Sequence, residues 1–280
     1  NSWTTTEWYC IDVTFKGSTG LAQIYINGIL DNSTTWSLSY VPQTTANCRI
    51  GGGNYWLDGK ISTVKIYDKQ LILSLDAAST RSYPGTGSTW YNLSTSSNGA
   101  LSGASIGTTT AGTMTFDGVD DYVVIDPGDD FFINAWTWEM VVKFDNNSGT
   151  HQGLVWAEES GTQYLITLYN YQYFHYRIQN STTGWANTNV NISFTPTDYN
   201  HIVWQFNNGT SKIYVNGQLL STDTTRGSYS GSTARPVYVG SRNDLNYEFD
   251  GDMPMLNFYN RELTAAEVLQ NYNAQKNRFI

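Results

Sequence analysis

Charge, cysteine and long apolar runs are all scarce in this sequence, and each shortage excludes something. Charged residues make up only 14% of the chain. The Lys and Arg surface that phosphate binding needs is missing, so no nucleic-acid partner is expected. No run of about 18 apolar residues occurs, so no membrane span is expected. Residue 1 opens in polar sequence with no signal peptide, which reads as a cut end. A Gly-x-Ser-x-Gly elbow is absent, and His151, His175 and His201 lack metal-binding spacing, so they read as ordinary strand histidines. The two cysteines, Cys10 and Cys48, fall on a polar-face position and a buried position of their respective strands. Opposed environments favour two free thiols over a bridge.

What is abundant points to one fold class. Aromatics reach 15%, glycine contributes 25 residues, and Thr, Ser and Asn are plentiful. Short strands and polar turns read this way, so an all-β protein is expected. The net charge is -9. Residues 1–72 balance five basic against five acidic residues, so the whole imbalance lies in the remainder, with ten against nineteen.

The chain also repeats itself. Ile24-Tyr25-Ile26-Asn27-Gly28 returns as Ile213-Tyr214-Val215-Asn216-Gly217, and the preceding strands and the following Arg49-Ile50-Gly51 and Tyr238-Val239-Gly240 extend the match. An internal repeat at this distance favours two domains, 1–71 and 72–280. Each Asn-Gly supplies the positive φ angles of a tight hairpin. In the first copy, Ile11, Val13 and Phe15 alternate with Cys10, Asp12 and Thr14, and further strands follow near 21–26, 48–50 and 61–67. These can cover one face of a sandwich but are too few for both.

In the second copy, Trp136, Trp138, Met140, Val142 and Phe144 alternate with Thr137, Glu139, Val141 and Lys143, which makes this strand the expected centre of the core. Strands at 153–157, 164–169 and 171–178 follow. Many short strands punctuated by turns predict a two-sheet antiparallel β-sandwich. The last stretch changes period. Thr264-Ala265-Ala266-Glu267 is a capping box, Leu263 and Val268 are placed as a hydrophobic staple, and a short helix is predicted over Ala265–Gln275.

Several segments resemble a known family: Leu73-Ser74-Leu75-Asp76-Ala77-Ala78, Ser82-Tyr83-Pro84-Gly85, Trp90-Tyr91-Asn92-Leu93-Ser94, Asn98-Gly99-Ala100-Leu101 and Phe116-Asp117-Gly118-Val119-Asp120-Asp121-Tyr122-Val123. They are similar to the laminin-G-like, concanavalin A-like lectin domains common in bacteriophage virion proteins. The ending Leu263-Thr264-Ala265-Ala266-Glu267-Val268-Leu269-Gln270-Asn271-Tyr272-Asn273-Ala274 is especially similar to marine tailed-phage members. The resemblance covers 73–280 completely and 1–71 in part, since the first unit lacks the opening half and the closing helix. It implies a jelly-roll sandwich displayed on a capsid, tail or fibre for surface or glycan binding or particle stabilisation. The implied partners are other virion proteins, further copies of the chain, as in the trimers common among such appendages, and a host surface glycan. A secreted or cell-surface carbohydrate-binding module is the alternative.

Because the same fold class includes glucanases, carboxylate spacing matters. Those enzymes need two carboxylates set close together on one face. Glu139 stands alone on its strand, and the adjacent Glu158 and Glu159 point to opposite faces of any strand. No enzyme and no catalytic residue are expected. Calcium is a candidate cofactor, because related domains carry it at a loop rim. Asp117, Asp120 and Asp121 around one turn, or Asn243 and Asp244 in another, offer oxygen ligands; the other reading is that they simply make turns.

Two candidate ligand sites emerge. Tyr171, Tyr173, His175 and Arg177 share one face of an alternating strand, a combination suited to stacking and hydrogen bonding with a glycan or to a protein contact. The second is the loop at 241–248, where the repeats diverge by a longer insertion carrying Asn243, Asp244, Asn246 and Tyr247. Loops that vary on a repeated scaffold commonly carry function, and a solvated hairpin tip is the other reading.

Overall fold

The computed structural model describes residues 11–16, 21–26, 29–35, 70–95, 97–107, 112–126, 131, 134–145, 151–159, 162–180, 184–228, 236–242 and 246–279. Cys10, Cys48, the Asn27-Gly28 turn and the strands expected at 48–50 and 61–67 lie outside them. The chain divides into two compact units, Asn1–Val64 and Lys65–Ile280.

In the first unit, β1 (Ile11–Lys16), β2 (Leu21–Ile26) and β3 (Ile29–Thr35) form an antiparallel meander. In register, Ile11, Val13 and Phe15 stand opposite Ile26, Ile24 and Ala22.

The second unit opens with β4 (Leu71–Asp76), β5 (Thr89–Trp90), β6 (Gly99–Ser102), β7 (Ser105–Gly107), β8 (Thr113–Asp117) and β9 (Tyr122–Ile125). There follow β10 (Ala135–Phe144), β11 (His151–Glu159), β12 (Thr162–Tyr169), β13 (Tyr173–Asn180) and β14 (Gly184–Asn191). The last elements are β15 (Asn200–Asn207), β16 (Thr210–Val215), β17 (Gln218–Asp223), β18 (Val237–Val239), β19 (Asp250–Tyr259) and the helix α1 (Ala265–Gln275).

One sheet runs β17-β16-β15-β10-β19-β8-β7, with β4 sharing the β8 side of β19; the other runs β14-β13-β12-β11-β18-β9-β6-β5. All pairs are antiparallel, and the core forms between the sheets. Trp136 and Trp204 of the first sheet meet Tyr164 and Tyr176 of the second at ring separations of 5.4 to 6.2 Å. Strand β10 is the core centre that its alternation predicts, but its second face is buried as well: Thr137, Glu139 and Val141 are covered. The cover includes α1 and the residues before it, where Leu71, Val203, Tyr214, Tyr259, Leu263 and Val268 make a separate apolar cluster.

The helix forms as its cap predicts. Thr264 Oγ1 accepts from the Glu267 amide at 3.2 Å, and Glu267 Oε2 accepts from the Thr264 amide at 2.7 Å. The Arg261 guanidinium, aided by the cap amide, holds the Glu267 carboxyl down to about 2, so the box stays charged through the neutral range. The staple closes with Leu263 and Val268 both buried. Thr264→Ala is expected to lower stability by about 1 kcal/mol, read as a shift of the urea midpoint at constant slope. No shift would mean that packing alone holds the helix.

The repeated Asn-Gly is the seat of that helix. Asn216 and Gly217 join β16 to β17 with φ of 50° and 77°, the two left-handed residues of a tight hairpin. A Cβ on Gly217 would lie 3.0 Å from Leu269 Cδ1 and 3.1 Å from Tyr272 Cδ1, so the glycine lets α1 rest on the turn. No helix among the described residues is long and apolar enough to cross a membrane.

Candidate functional site

The outer face of the second sheet carries the polar and aromatic side chains that the core rejects. On β13, Phe174, Tyr176 and Ile178 point inward, leaving Tyr173, His175 and Arg177 outside. Register then brings neighbours beside them: Thr167 of β12 stands opposite His175, Leu165 opposite Arg177, and Asn189 of β14 opposite His175 on its other side.

Strand β11 adds His151 and Trp156. Their odd separation would put them on opposite faces of a regular strand. A bulge between Gly153 and Val155 takes up the extra residue, with Leu154 and Val155 both in the core, so His151 and Trp156 face the same way. The loop after β18 completes the group. The Gly153 amide donates to the Tyr247 carbonyl at 2.7 Å, and the Arg242 amide donates to the Asn246 carbonyl at 2.9 Å, which folds the loop back over β11. Tyr247 stacks on Trp156 at 5.8 Å and meets His151 edge-on at 5.3 Å. The Arg242 guanidinium lies 5.1 Å above Trp156 and 5.8 Å from Tyr247.

These side chains enclose a cavity of about 260 Å³ lined by His151, Trp156, Leu165, Thr167, His175, Arg177, Arg242 and Tyr247. Small-molecule sites run upward from about 300 Å³, so this cavity lies at the small end of that scale. Burial, then His175, holds His151 down to about 4. His175 is lowered chiefly by burial, with Arg177 adding to the effect against its bond to Asn189. Both imidazoles are therefore neutral at pH 7. His175 Nδ1 donates to Asn189 Oδ1 at 2.8 Å, which leaves its Nε2 as an acceptor, and His151 Nδ1 is hydrogen-bonded to the Thr167 hydroxyl at 2.8 Å. The cavity thus brings together aromatic rings, two guanidiniums and two neutral imidazoles, and none of the described residues lining it is acidic.

Of the residues predicted from the sequence, His175, Arg177 and Tyr247 come together here. Tyr173 shares their face but stands beside the cavity, stacked on Tyr169 at 5.0 Å, with Tyr169 in turn 4.6 Å from His151. Tyr171 does not share the face. It lies in the turn before β13 with φ of 54°, and its ring packs edge-on against Phe144 in the core, because the strand begins two positions later than its alternation suggested. Asn246 contributes its carbonyl to closing the loop and is itself exposed. Asn243 and Asp244 lie outside the described residues. His151, Trp156, Leu165, Thr167 and Arg242 escaped the sequence reading. The bulge hid the first two, and the others become neighbours only through register and loop folding.

The acidic turn is also assembled. Asp117, Asp120 and Asp121 bring ligand atoms within 4.8 Å of one another. Asp121 Oδ2 accepts from the Asp117 amide at 2.8 Å and Asp117 Oδ1 from the Val119 amide at 2.9 Å, while a Cβ on Gly103 would meet Asp121 Oδ1 at 1.9 Å. Calcium takes six to eight oxygens, and here one Asp121 oxygen already accepts from a backbone amide. Turn making accounts for Asp117 and Asp121 without an ion.

Glu139 lies on the other sheet, 1% exposed, bonded to His201 Nε2 at 2.8 Å. A carboxylate sealed beneath a helix cannot meet a substrate.

Residues 1–74 and 117–269 match a laminin G-like profile of the concanavalin A-like lectin/glucanases superfamily. No curated protein matches the chain in sequence. Among solved structures, the fold is similar to the receptor binding domain of botulinum neurotoxin mosaic serotype C/D, with a TM-score of 0.59, 12% identity, and coverage of 74% of this chain and 51% of that one. It is likewise similar to the binding domain of botulinum neurotoxin DC in complex with rat synaptotagmin II, at a TM-score of 0.56 and 11% identity over 73% and 51% of the two chains. Trypanosoma rangeli sialidase in complex with the inhibitor DANA gives a TM-score of 0.57 and 14% identity over 75% and 34%. The chain spans about half the length of the neurotoxin domains that it matches. At these identities the likeness is one of fold.

Proposed function

Since the chain belongs to the concanavalin A-like lectin/glucanases superfamily, we propose that its larger unit is a non-enzymatic, lectin-like domain holding a glycan in the outer-face cavity of the second sheet. One observation carries the reading: the rings of Trp156 and Tyr247 stand in the same cavity as Arg177, Arg242 and two neutral imidazoles. Sugars present apolar C–H faces that stack on such rings, and hydroxyls that need planar donors and acceptors. The non-enzymatic part is supported by the lack of acidic residues among the described residues of the lining, since glycoside hydrolysis uses two flanking carboxyl groups.

A glycan array tests this. Wild-type protein is expected to give saturable hits, and Trp156→Ala to lose at least about tenfold in affinity, or about 1.4 kcal/mol, at an unchanged fold by circular dichroism. An array without hits, or a variant that binds as well as wild type, would reject the cavity as the site.

On the resemblance of the ending at 263–274 to marine tailed-phage proteins, we further propose that the chain serves on a virion as a capsid decoration, fibre or tail component. Other virion proteins and copies of itself, as in a trimer, would be its partners. Mass spectrometry of purified particles should find it there. Its presence only in bacterial culture supernatant would favour a secreted or cell-surface module instead. Calcium bound at Asp117, Asp120 and Asp121 would raise the melting temperature and chelator would reverse the rise, whereas an unchanged value would leave these residues as turn makers.

A further inference from the structure

We infer that the cavity selects an anionic sugar, one bearing a carboxylate or a sulfate, held between Arg242 and Arg177; this rests on the glycan reading above. Register sets the geometry. Trp156, Leu165 and Arg177 stand abreast on three neighbouring strands. Two strand spacings separate the outer pair, or about 10 Å. Leu165 is 2% exposed and makes an apolar floor between them, while Arg242 is held above Trp156. A sugar ring lying over Leu165 therefore has a guanidinium at each end.

Each guanidinium carries five N–H donors in a planar fork that fits the two oxygens of a carboxylate or sulfate, so partners already engaged still leave donors for a ligand. Ring faces of Trp156 and Tyr247 fix the plane of Arg242, which reduces the ordering cost of binding. The chain as a whole is acidic, at -9, yet none of the described residues lining the cavity is acidic. The neutral His151 and His175 then serve the sugar hydroxyls, His175 offering Nε2 as an acceptor.

Titration calorimetry with matched probes tests the inference: sialyllactose against lactose, and a sulfated glycosaminoglycan disaccharide against its desulfated form. At least one acidic member is expected to bind about tenfold or more tighter than its neutral partner, with the advantage shrinking as salt rises. Arg242→Gln and Arg177→Gln should each remove most of that advantage while the melting temperature stays close to wild type. If one of these variants fails to fold, the other decides. Equal binding of acidic and neutral partners would overturn the charge selection and leave the glycan reading standing. Failure of all probes, together with an array without hits, would overturn both. Binding of sialyllactose alone would assign the carboxylate, and binding of the sulfated disaccharide alone the sulfate.

Discussion

Replacing Glu139 by alanine is expected to cost the larger unit about 3–5 kcal/mol, because each buried donor left without its acceptor costs about 1–3 kcal/mol. The carboxylate is sealed, and its oxygens accept from His201 Nε2 at 2.8 Å, Tyr259 OH at 2.9 Å and Asn257 Nδ2 at 3.0 Å. Asn271 of α1 donates to the Tyr259 hydroxyl at 3.3 Å, so the network reaches the helix. Removing the acceptor orphans three donors in a place that water does not reach. Burial by itself would push the Glu139 carboxyl up, but the bond and charge of His201, with Asn257 and Tyr259, outweigh it and hold the group below its ordinary 4.5.

The sign of the pH dependence follows. A depressed folded value means that the contribution is fully present above the unfolded value of about 4.5 and is lost as pH falls through the folded one. Urea unfolding at pH 7 measures the alanine effect. Repeated between pH 5 and 3, it should show a smaller loss of midpoint for Glu139→Gln than for wild type. Parallel acid losses in the two proteins would remove Glu139 from the account of acid stability.

Gly251→Ala is the second large loss expected, on the order of 10 °C in melting temperature. Gly251, the second residue of the central strand β19, stands opposite Phe144 of β10, next to the register shift between Val141 and Lys143. Its φ of 153° suits glycine, and a Cβ there would lie 2.0 Å from the Lys143 carbonyl oxygen and 3.0 Å from Phe144 Cα. Both obstacles are backbone, which cannot rotate aside as a side chain can. Strained backbone costs about 1–3 kcal/mol. Overpacking adds about 1–3 kcal/mol, and each kcal/mol moves a domain of this size by about 2–4 °C. A scan within a degree of wild type would mean that β19 can shift along β10 without penalty.

Individual elements differ in how plainly the sequence announces them. Thr264 and Glu267 declare the helix because a capping box is local chemistry, complete within four residues. Strand β10 is equally plain, since its tryptophans repeat with the period of the pleat. Strand β14 is not: Gly184–Asn191 is mostly polar, as suits the edge of a sheet, and carries little alternation to read. The polar face of β10 misleads in another way. Glu139 reads as a solvent-facing residue until α1 is laid over it, and its partners His201, Asn257 and Tyr259 come from other strands and are invisible to any local pattern.

The candidate site shows the same division. The alternation of Tyr173, His175 and Arg177 with inward-facing Phe174 and Tyr176 follows from the geometry of one strand, so it is legible, as is the divergence of the two repeats at the loop that holds Tyr247. Which residues meet those was decided elsewhere. One inserted residue in β11 turned Trp156 outward beside His151, register set Leu165 and Thr167 beneath, and the loop folded Arg242 onto the tryptophan. Side-chain direction along a strand is fixed by chirality and pleat within a few residues. Adjacency across strands depends on bulges and pairings between distant segments, and only the packed sheet settles those.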